Sequence, residues 1–438
     1  MSFDVFRRFA MRFAADLHIH SKYSRATSPR MNLESLGQWA RVKGIKLMGT
    51  GDFTHPAWFG ELKEKLDPAE PGLFALKGVL PPRDLPARRG KSSTRFMLTA
   101  EVSCIYSKGN RVRKVHIVIF APSFEIAGEI NSKLAKIGNL LADGRPILGL
   151  DALELLKIVF DVSQDCLVVP AHAMTPWFGV FGSKSGFDSL EECFGDYAKY
   201  IYAIETGLSA DPAMLWRIPD GRRVALLSNS DAHSPEKIGR EVNVFDCGLD
   251  YFEIMKAIKE KNTQKFLYTI EFFPEEGKYH LDGHRACFVS LLPQESAKTN
   301  GLCPKCSRPL TIGVLNRIRE LADKPEGYKP EGAIPYKSLV PLQEIIADVL
   351  RAAVISQAVK NEYAKLVKTF GSEFSVLLGP NVSELEGATT PEIAQGIVNA
   401  REGKVGLVAG YDGVFGHVFV GANNHSPAFE NGRGVKGE

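Results

Sequence analysis

Asp16-Leu17-His18-Ile19-His20 is the stretch on which the fold turns. In an extended strand successive side chains alternate between faces, so Asp16, His18 and His20 are expected on one face and Leu17 and Ile19 in apolar packing on the other. Two neutral imidazoles and a carboxylate meeting at one spot suit Zn, Mn or Fe. The same spacing also serves a strand whose histidines are merely hydrogen-bonded. The choice rests on whether matching ligand types recur downstream.

They recur, each time inside or just after an apolar run that reads as a buried strand. Asp52 and His55 follow a strand at 45–48. Glu101 lies in a strand at 95–106 and His116 in one at 114–121, and Lys108-Gly109-Asn110 between them is a hairpin signal. His172 follows a strand at 166–170, and Asp231 and His233 follow one at 224–227. Between these runs, helical spacing predicts helices at 33–43 (Asn32 as N-cap, Gly44 as stop), 58–66, 123–141, 151–160, 189–199 and 252–261. Alternating buried strands and helices predict a parallel α/β barrel, whose active site lies at the C-terminal ends of its strands. Burying so many ionisable groups without a cation would cost roughly several kcal/mol for each unpaired charge. A cluster of metal ions reconciles them.

The chain has 438 residues, 44% hydrophobic and 24% charged, which is room for two or three domains of ordinary globular composition. No run of eighteen apolar residues occurs, so no membrane-spanning helix is expected. The seven cysteines are odd in number and mostly isolated in apolar runs. That argues for a reducing compartment, hence a cytoplasmic location, rather than a disulfide framework. Residues 1–120 hold 21 Lys and Arg against 10 Asp and Glu, a surplus of 11 in a chain whose net charge is +3. Much of it sits in two short stretches: Arg83, Arg88, Arg89, Lys91 and Arg95, then Lys108, Arg111, Arg113 and Lys114. Clustered cations on loops are the electrostatic footprint of a polyanion-binding protein.

Past residue 275 the composition changes. His284 and Cys287, followed by Cys303-Pro304-Lys305-Cys306, have the ligand spacing of a small structural Zn2+ site, with His280 as the alternative fourth ligand. A proline- and glycine-rich linker at 324–335 follows, then helical periodicity at 342–350, 358–370 and 391–401. The segment 406–420, rich in glycine and aromatics, fits a ligand-approach loop or an edge hairpin.

The order of ligand types in the first part resembles the PHP (polymerase and histidinol phosphatase) family: H-x-H, a T-D-H-like element, an isolated Glu, two isolated histidines, then D-x-H. The resemblance implies a metal-dependent phosphoesterase on a distorted (β/α)7 barrel with two or three divalent metals (Zn2+, Mg2+ or Mn2+). Its catalytic positions would be His18, His20, Glu101, His116, His172, Asp231 and His233. Where the family has Thr-Asp-His, this chain has Thr50-Gly51-Asp52-Phe53-Thr54-His55, so the histidine stands two residues late. Asp52 and His55 are both retained as ligand candidates.

With the zinc element and the helical C-terminal region added, the chain resembles the endonuclease Q family. That likeness rests on Gly49-Thr50-Gly51-Asp52-Phe53-Thr54-His55-Pro56, Asp282-Gly283-His284-Arg285-Ala286-Cys287 and Ile334-Pro335-Tyr336-Lys337-Ser338-Leu339-Val340-Pro341-Leu342. It implies a DNA-repair endonuclease that cuts 5′ of a deaminated base (uracil, hypoxanthine, xanthine) or an abasic site, leaving a 3′-hydroxyl and a 5′-phosphate. Residues 12–274 would then be the PHP barrel, 275–313 the zinc element and 314–422 a helical DNA-binding region, with a disordered tail at 423–438. Arg83, Arg88, Arg89, Lys91, Arg111, Arg113 and Lys114 are the expected DNA contacts. Stacking on the extruded base is expected from loop 175–179 or from 411–419. A small-molecule phosphatase of the histidinol-phosphate kind is the alternative, and a DNA-binding protein with an inert barrel the other. No sliding-clamp motif is seen.

Overall fold

The computed structural model describes residues 12–78 and 94–421. Seven strands form its centre: β1 (Phe13–Asp16), β2 (Ile45–Gly49), β3 (Arg95–Lys108), β4 (Arg111–Ala121), β5 (Leu167–Pro170), β6 (Ala203–Glu205) and β7 (Ala225–Leu227). β1 pairs in parallel with β2, β2 with β3, and β6 with β7. Ala173 N donates to Glu205 O at 2.9 Å, joining the ends of β5 and β6. The ring closes just past β7 and β1, where His20 N donates to Ala232 O at 3.0 Å and Asp231 N to His18 O at 2.9 Å.

The parallel order expected of the barrel is interrupted at the hairpin expected around Lys108-Gly109-Asn110. β3 and β4 run antiparallel, in register from Leu98 opposite Ala121 to Lys108 opposite Arg111, and β5 pairs antiparallel with β4. The cause is local. Gly109 and Asn110, both at positive φ, form a two-residue turn that can only reverse the chain. Leu47, Met97, Val118, Phe120, Val169, Ala203 and Leu227 contribute one apolar cluster from every side of the ring. The buried face of helix Tyr251–Lys259 packs onto the same cluster.

Strand Val242–Phe245 adds antiparallel to β1, Phe266–Glu271 adds to it, and Tyr336–Ser338 pairs in parallel with Phe266–Glu271. The segment expected as a linker thus feeds a strand of the barrel's own sheet. The helix expected over 123–141 is shorter, Phe124–Leu134. The helix expected over 189–199 is α-helical only over Leu190–Phe194, because Gly195 takes φ +55 and the chain continues as a 3-10 turn.

The C-terminal helices, Leu342–Leu350, Gln357–Phe370, Glu373–Leu378, Val382–Glu386 and Pro391–Arg401, pack on one another, and Glu373–Leu378 docks against helix Leu33–Lys43. There Lys43 Nζ meets Glu373 Oε2 at 2.7 Å, and Glu373 also accepts from Tyr363 Oη and Leu342 N. Removing one partner of such a buried pair costs roughly 3–5 kcal/mol. Segment 406–420 contains an antiparallel hairpin, Gly406–Val408 with His417–Phe419. Among the described residues, no helix is long and apolar enough to cross a membrane. The tail at 423–438 lies outside the described residues.

Candidate metal centre

The ligand-type residues gather at one end of the ring, just past or near the ends of its strands. β1 stops at Asp16; His18 and His20 converge as the alternation expects, but Asp16 does not join them. Asp16 is fully buried but turns to Ser230 N, Ser230 Oγ and Gly239 N, where it pins the loop after β7. Asp52, His172 and Asp231 all take left-handed backbone (φ +49, +30 and +47). That conformation is uncommon for residues other than glycine and clusters at functional sites.

Two groups of potential ligand atoms form, each within 4.8 Å: His18, His20, Glu101 and Asp231, and Glu101, His116 and His172. Glu101 belongs to both. Its Oε2 lies 3.2 Å from His20 Nε2 and 3.7 Å from His18 Nε2, while its Oε1 lies 2.8 Å from His116 Nδ1 and 3.2 Å from His172 Nε2. Asp231 Oδ1 is 3.1 Å from His20 Nε2. His18 Nε2, His20 Nε2 and Asp231 Oδ1 are buried without a hydrogen-bond partner. Orphaned buried polar atoms are rare in native proteins. Two imidazole nitrogens and a carboxylate oxygen that converge, buried and without hydrogen-bond partners, fit a divalent cation.

The outer partners settle which nitrogen faces inward. A carboxylate only accepts, so His18 Nδ1 donates to Glu205 (2.9 and 3.0 Å) and His20 Nδ1 to Asp52 Oδ1 (3.0 Å). Asp52 Oδ2 accepts from Ser21 N, Ser21 Oγ and Ser24 Oγ. Glu205 also accepts from Asn229 Nδ2 and His172 N. Asp52 thus reaches the centre through His20. Carboxylate–histidine relays of this kind orient metal ligands. Burial works against the charge on Glu101, yet His116, Arg145 and His18 hold it well below the usual carboxylate range. Burial pushes His116 down to about 4, against the opposing pull of Glu101.

His233 lies against His20, ring centroids 4.6 Å apart, with Nδ1 on Asp231 O at 2.8 Å, outside both groups. His55 is placed elsewhere: it caps helix Pro56–Lys65 through Trp58 N and stacks on Tyr23 at 4.4 Å. The two-residue delay relative to Thr-Asp-His puts it in a helix cap.

Glu205 and Arg145 are the residues that sequence reasoning passed over. Glu205 ends β6, where a barrel strand is expected to deliver ligands, so position was a usable signal. Arg145, between Gly144 and Pro146, gave none.

In the segment expected to bind zinc, hairpin Asp282–His284 with Val289–Leu291 faces the Cys303–Cys306 turn. His284, Cys287, Cys303 and Cys306 bring their ligand atoms within 4.8 Å, with His284 Nδ1 3.4 Å from Cys306 Sγ. Against desolvation, the N–H groups of Lys305 and Cys306 pull the Cys303 thiol down to about 6. A donor set of three thiolates and an imidazole fits a structural zinc ion. His280 is buried apart from the four.

Of the expected DNA contacts, Arg83, Arg88, Arg89 and Lys91 lie outside the described residues. Arg113 needs correction. It is buried, with Nη1 on Gly186 O, Nη2 on Glu192 at 3.0 Å and its plane 4.0 Å from the Phe187 ring centroid. It braces the 182–188 loop. Arg111 is exposed and lines a cleft of about 610 Å³ with Lys184 and Arg317; Lys114 stands over the Phe178 ring at 5.5 Å.

Residues 341–404 match a protein family described as the MJ0043 C-terminal domain. The chain is 30% identical over 415 residues to the uncharacterized protein YqxK of Bacillus subtilis, a match covering 92% of this chain and 98% of that protein. It is 34% identical over 255 residues to the uncharacterized protein MJ0043 of Methanocaldococcus jannaschii, covering 56% of this chain and 31% of that longer protein. Among solved structures, it is similar to the lesion-specific endonuclease PfuEndoQ from Pyrococcus furiosus, with TM-score 0.81, 34% identity and 94% and 96% of the two chains covered. It is equally similar to an endonuclease Q in complex with a 27-mer duplex substrate carrying an abasic lesion at the active site: TM-score 0.82, 34% identity, 94% and 98% covered.

Proposed function

The chain belongs to the endonuclease Q family, and on that premise we propose that it is a metal-dependent DNA-repair endonuclease. It cuts the phosphodiester 5′ of a deaminated base or an abasic site. Water adds to phosphorus, the P–O3′ bond breaks, and a proton goes to the leaving oxygen, giving a 3′-hydroxyl and a 5′-phosphate. The observation that carries this reading is Glu101 shared between two ligand groups, the first of which brings three further donor atoms that are buried and unpartnered, His18 Nε2, His20 Nε2 and Asp231 Oδ1.

His18, His20, Glu101 and Asp231 would hold one divalent cation and Glu101, His116 and His172 a second. His233 stands ready beside the first group. A pair of cations activates water and offsets phosphate charge in an in-line displacement. Glu205 and Asp52 keep the Nδ1 protons of His18 and His20 outward, so that each Nε2 stays a ligand. Beside this centre the Phe178 ring lies 4.2 Å from His116, and Trp177 packs on Tyr279 at 5.8 Å. These faces supply the stacking surface an extruded nucleotide needs. Segment 411–419 is the weaker candidate, since Tyr411 is engaged at Leu281 and Gly283 of the zinc element. Arg111 and Lys114 share strand β4 with His116 and would meet the DNA backbone.

The test is a 5′-labelled duplex with one deoxyuridine, deoxyinosine or abasic site, incubated with Mg2+, Mn2+ or Zn2+. A single cut on the 5′ side of the lesion, blocked by EDTA, is expected. Hydrolysis of phosphate monoesters alone, or binding without cleavage, would overturn the proposal.

A further inference from the structure

Arg145 stands at the metal centre without belonging to either ligand group. Its Nη1 donates to Glu101 Oε2 at 3.0 Å, on the carboxylate that both groups share. The loop that brings it there is tightly fixed. Gly144 N donates to Tyr23 O at 3.0 Å, Thr54 Oγ1 donates to Gly144 O at 3.2 Å, and Ser103 N donates to Pro146 O at 3.0 Å. A Cβ on Gly144 would come within 2.4 Å of both Asp52 Oδ2 and Ser24 Oγ, so only glycine lets the loop pass this close.

A guanidinium carries five N–H donors in a rigid fork. The described contacts of Arg145 engage one of them, on Glu101, and its side chain remains 24% exposed at the mouth of the site. A fixed positive charge beside two divalent cations is repelled unless an anion lies between them. Glu101, Asp231 and Asp143 are the carboxylates whose charge acts on it. The first two are ligands of the proposed centre, and Asp143 accepts from the backbone N–H groups of Arg25 and Arg145 and pairs with the Arg25 guanidinium at 3.3 Å. The anion still required is one that enters with the substrate.

We propose that Arg145 is a catalytic residue that grips a non-bridging oxygen of the scissile phosphate. It would thereby stabilise the charge that builds there in the transition state. The proposal rests on the endonuclease reading above. An arginine in this position acts where charge develops, and its removal typically costs orders of magnitude in rate.

Arg145→Gln and Arg145→Lys separate this role from simple support of Glu101. With the full-length, metal-loaded protein and abasic duplex in single turnover, Arg145→Gln should slow incision about 100-fold or more. Arg145→Lys should recover part of that loss, and bound-metal content should stay within about twofold of wild type. The second readout is duplex affinity in EDTA, with the scissile linkage either a phosphate or a neutral methylphosphonate. Wild type should bind the phosphate duplex several-fold better relative to Arg145→Gln, and the two proteins should bind the methylphosphonate duplex alike. Repulsion from the empty carboxylates is common to both proteins and cancels. Loss of metal from Arg145→Gln with phosphate discrimination intact would overturn the proposal and leave Arg145 as a positioning residue. So would an incision rate like that of wild type. If wild-type protein fails to cut any lesion duplex, the endonuclease reading itself has failed, which is a different result.

Discussion

Oε2 of Glu205 lies 2.9 Å from Nδ1 of His18, and this contact leaves His18 Nε2 buried, unpartnered and facing Glu101 and Asp231. The two residues are 187 positions apart in the chain. A first expectation follows directly. Glu205→Ala should lower metal affinity at the barrel centre by about 10–100-fold, because the ring loses the partner that fixes its tautomer and orientation. Glu205→Gln, which still offers a carbonyl oxygen to Nδ1, should lose less. Metal titration of the apoprotein monitored by calorimetry measures both, and equal affinities in all three proteins would remove Glu205 from this role.

The element that carries the His284, Cys287, Cys303 and Cys306 cluster should behave as an independent support. Cys303→Ser should reduce bound zinc by about one ion per chain and lower the melting temperature, while the barrel metals stay in place. The element is tied to the 411–416 turn through Asp412, which accepts from Arg285 N at 2.7 Å and from Thr311 Oγ1 at 2.6 Å. Loosening there should therefore appear as faster amide exchange in that turn as well. An unchanged melting curve after the substitution would argue against a structural ion.

Behind β6 and β7, two buried acids should give the protein an alkaline weakness. Burial, then the nearby Asp211 charge, pushes Glu271 up to about 8, and burial with the charge of Glu271 raises Glu241 as well. For an acid raised in the folded state, stability is present in full below the ordinary carboxyl range. It is lost as pH rises through about 8. Glu271→Gln keeps the protonated acid's shape beside Thr206 and Thr269 and removes its titration. Its melting temperature should exceed that of wild type at pH 9 and match it near pH 5. Parallel pH profiles for the two proteins would contradict this.

What the sequence made legible were features encoded locally. The Asn32 cap and Gly44 stop of helix Leu33–Lys43 are where the side-chain chemistry puts them. The hairpin at Gly109-Asn110 and the helix Pro391–Arg401 are also signalled within a few residues. His18, His20, Glu101, His116, His172 and Asp231 were found because ligand types stood out in apolar runs. The rest depends on contacts between distant parts of the chain. Asp16 and His55 have ligand chemistry but are claimed by Ser230 and by a helix cap. Arg113 looks like a surface cation in its run, yet folds under the 182–188 loop. Strand Tyr336–Ser338 was hidden in a proline-rich stretch, because its partner Phe266–Glu271 lies well upstream. Arg145 acquires its meaning only when Gly144 passes Asp52.

The most direct test of the account is Glu101→Gln, since Glu101 joins the two ligand groups. The substitution preserves size and removes the charge that both cations would share. Incision of a 5′-labelled duplex with one abasic site, measured with added divalent metal, should fall by at least about 1,000-fold, whereas affinity for the same duplex should change little. Cleavage by Glu101→Gln at a rate near that of wild type would contradict a two-cation centre built around this carboxylate.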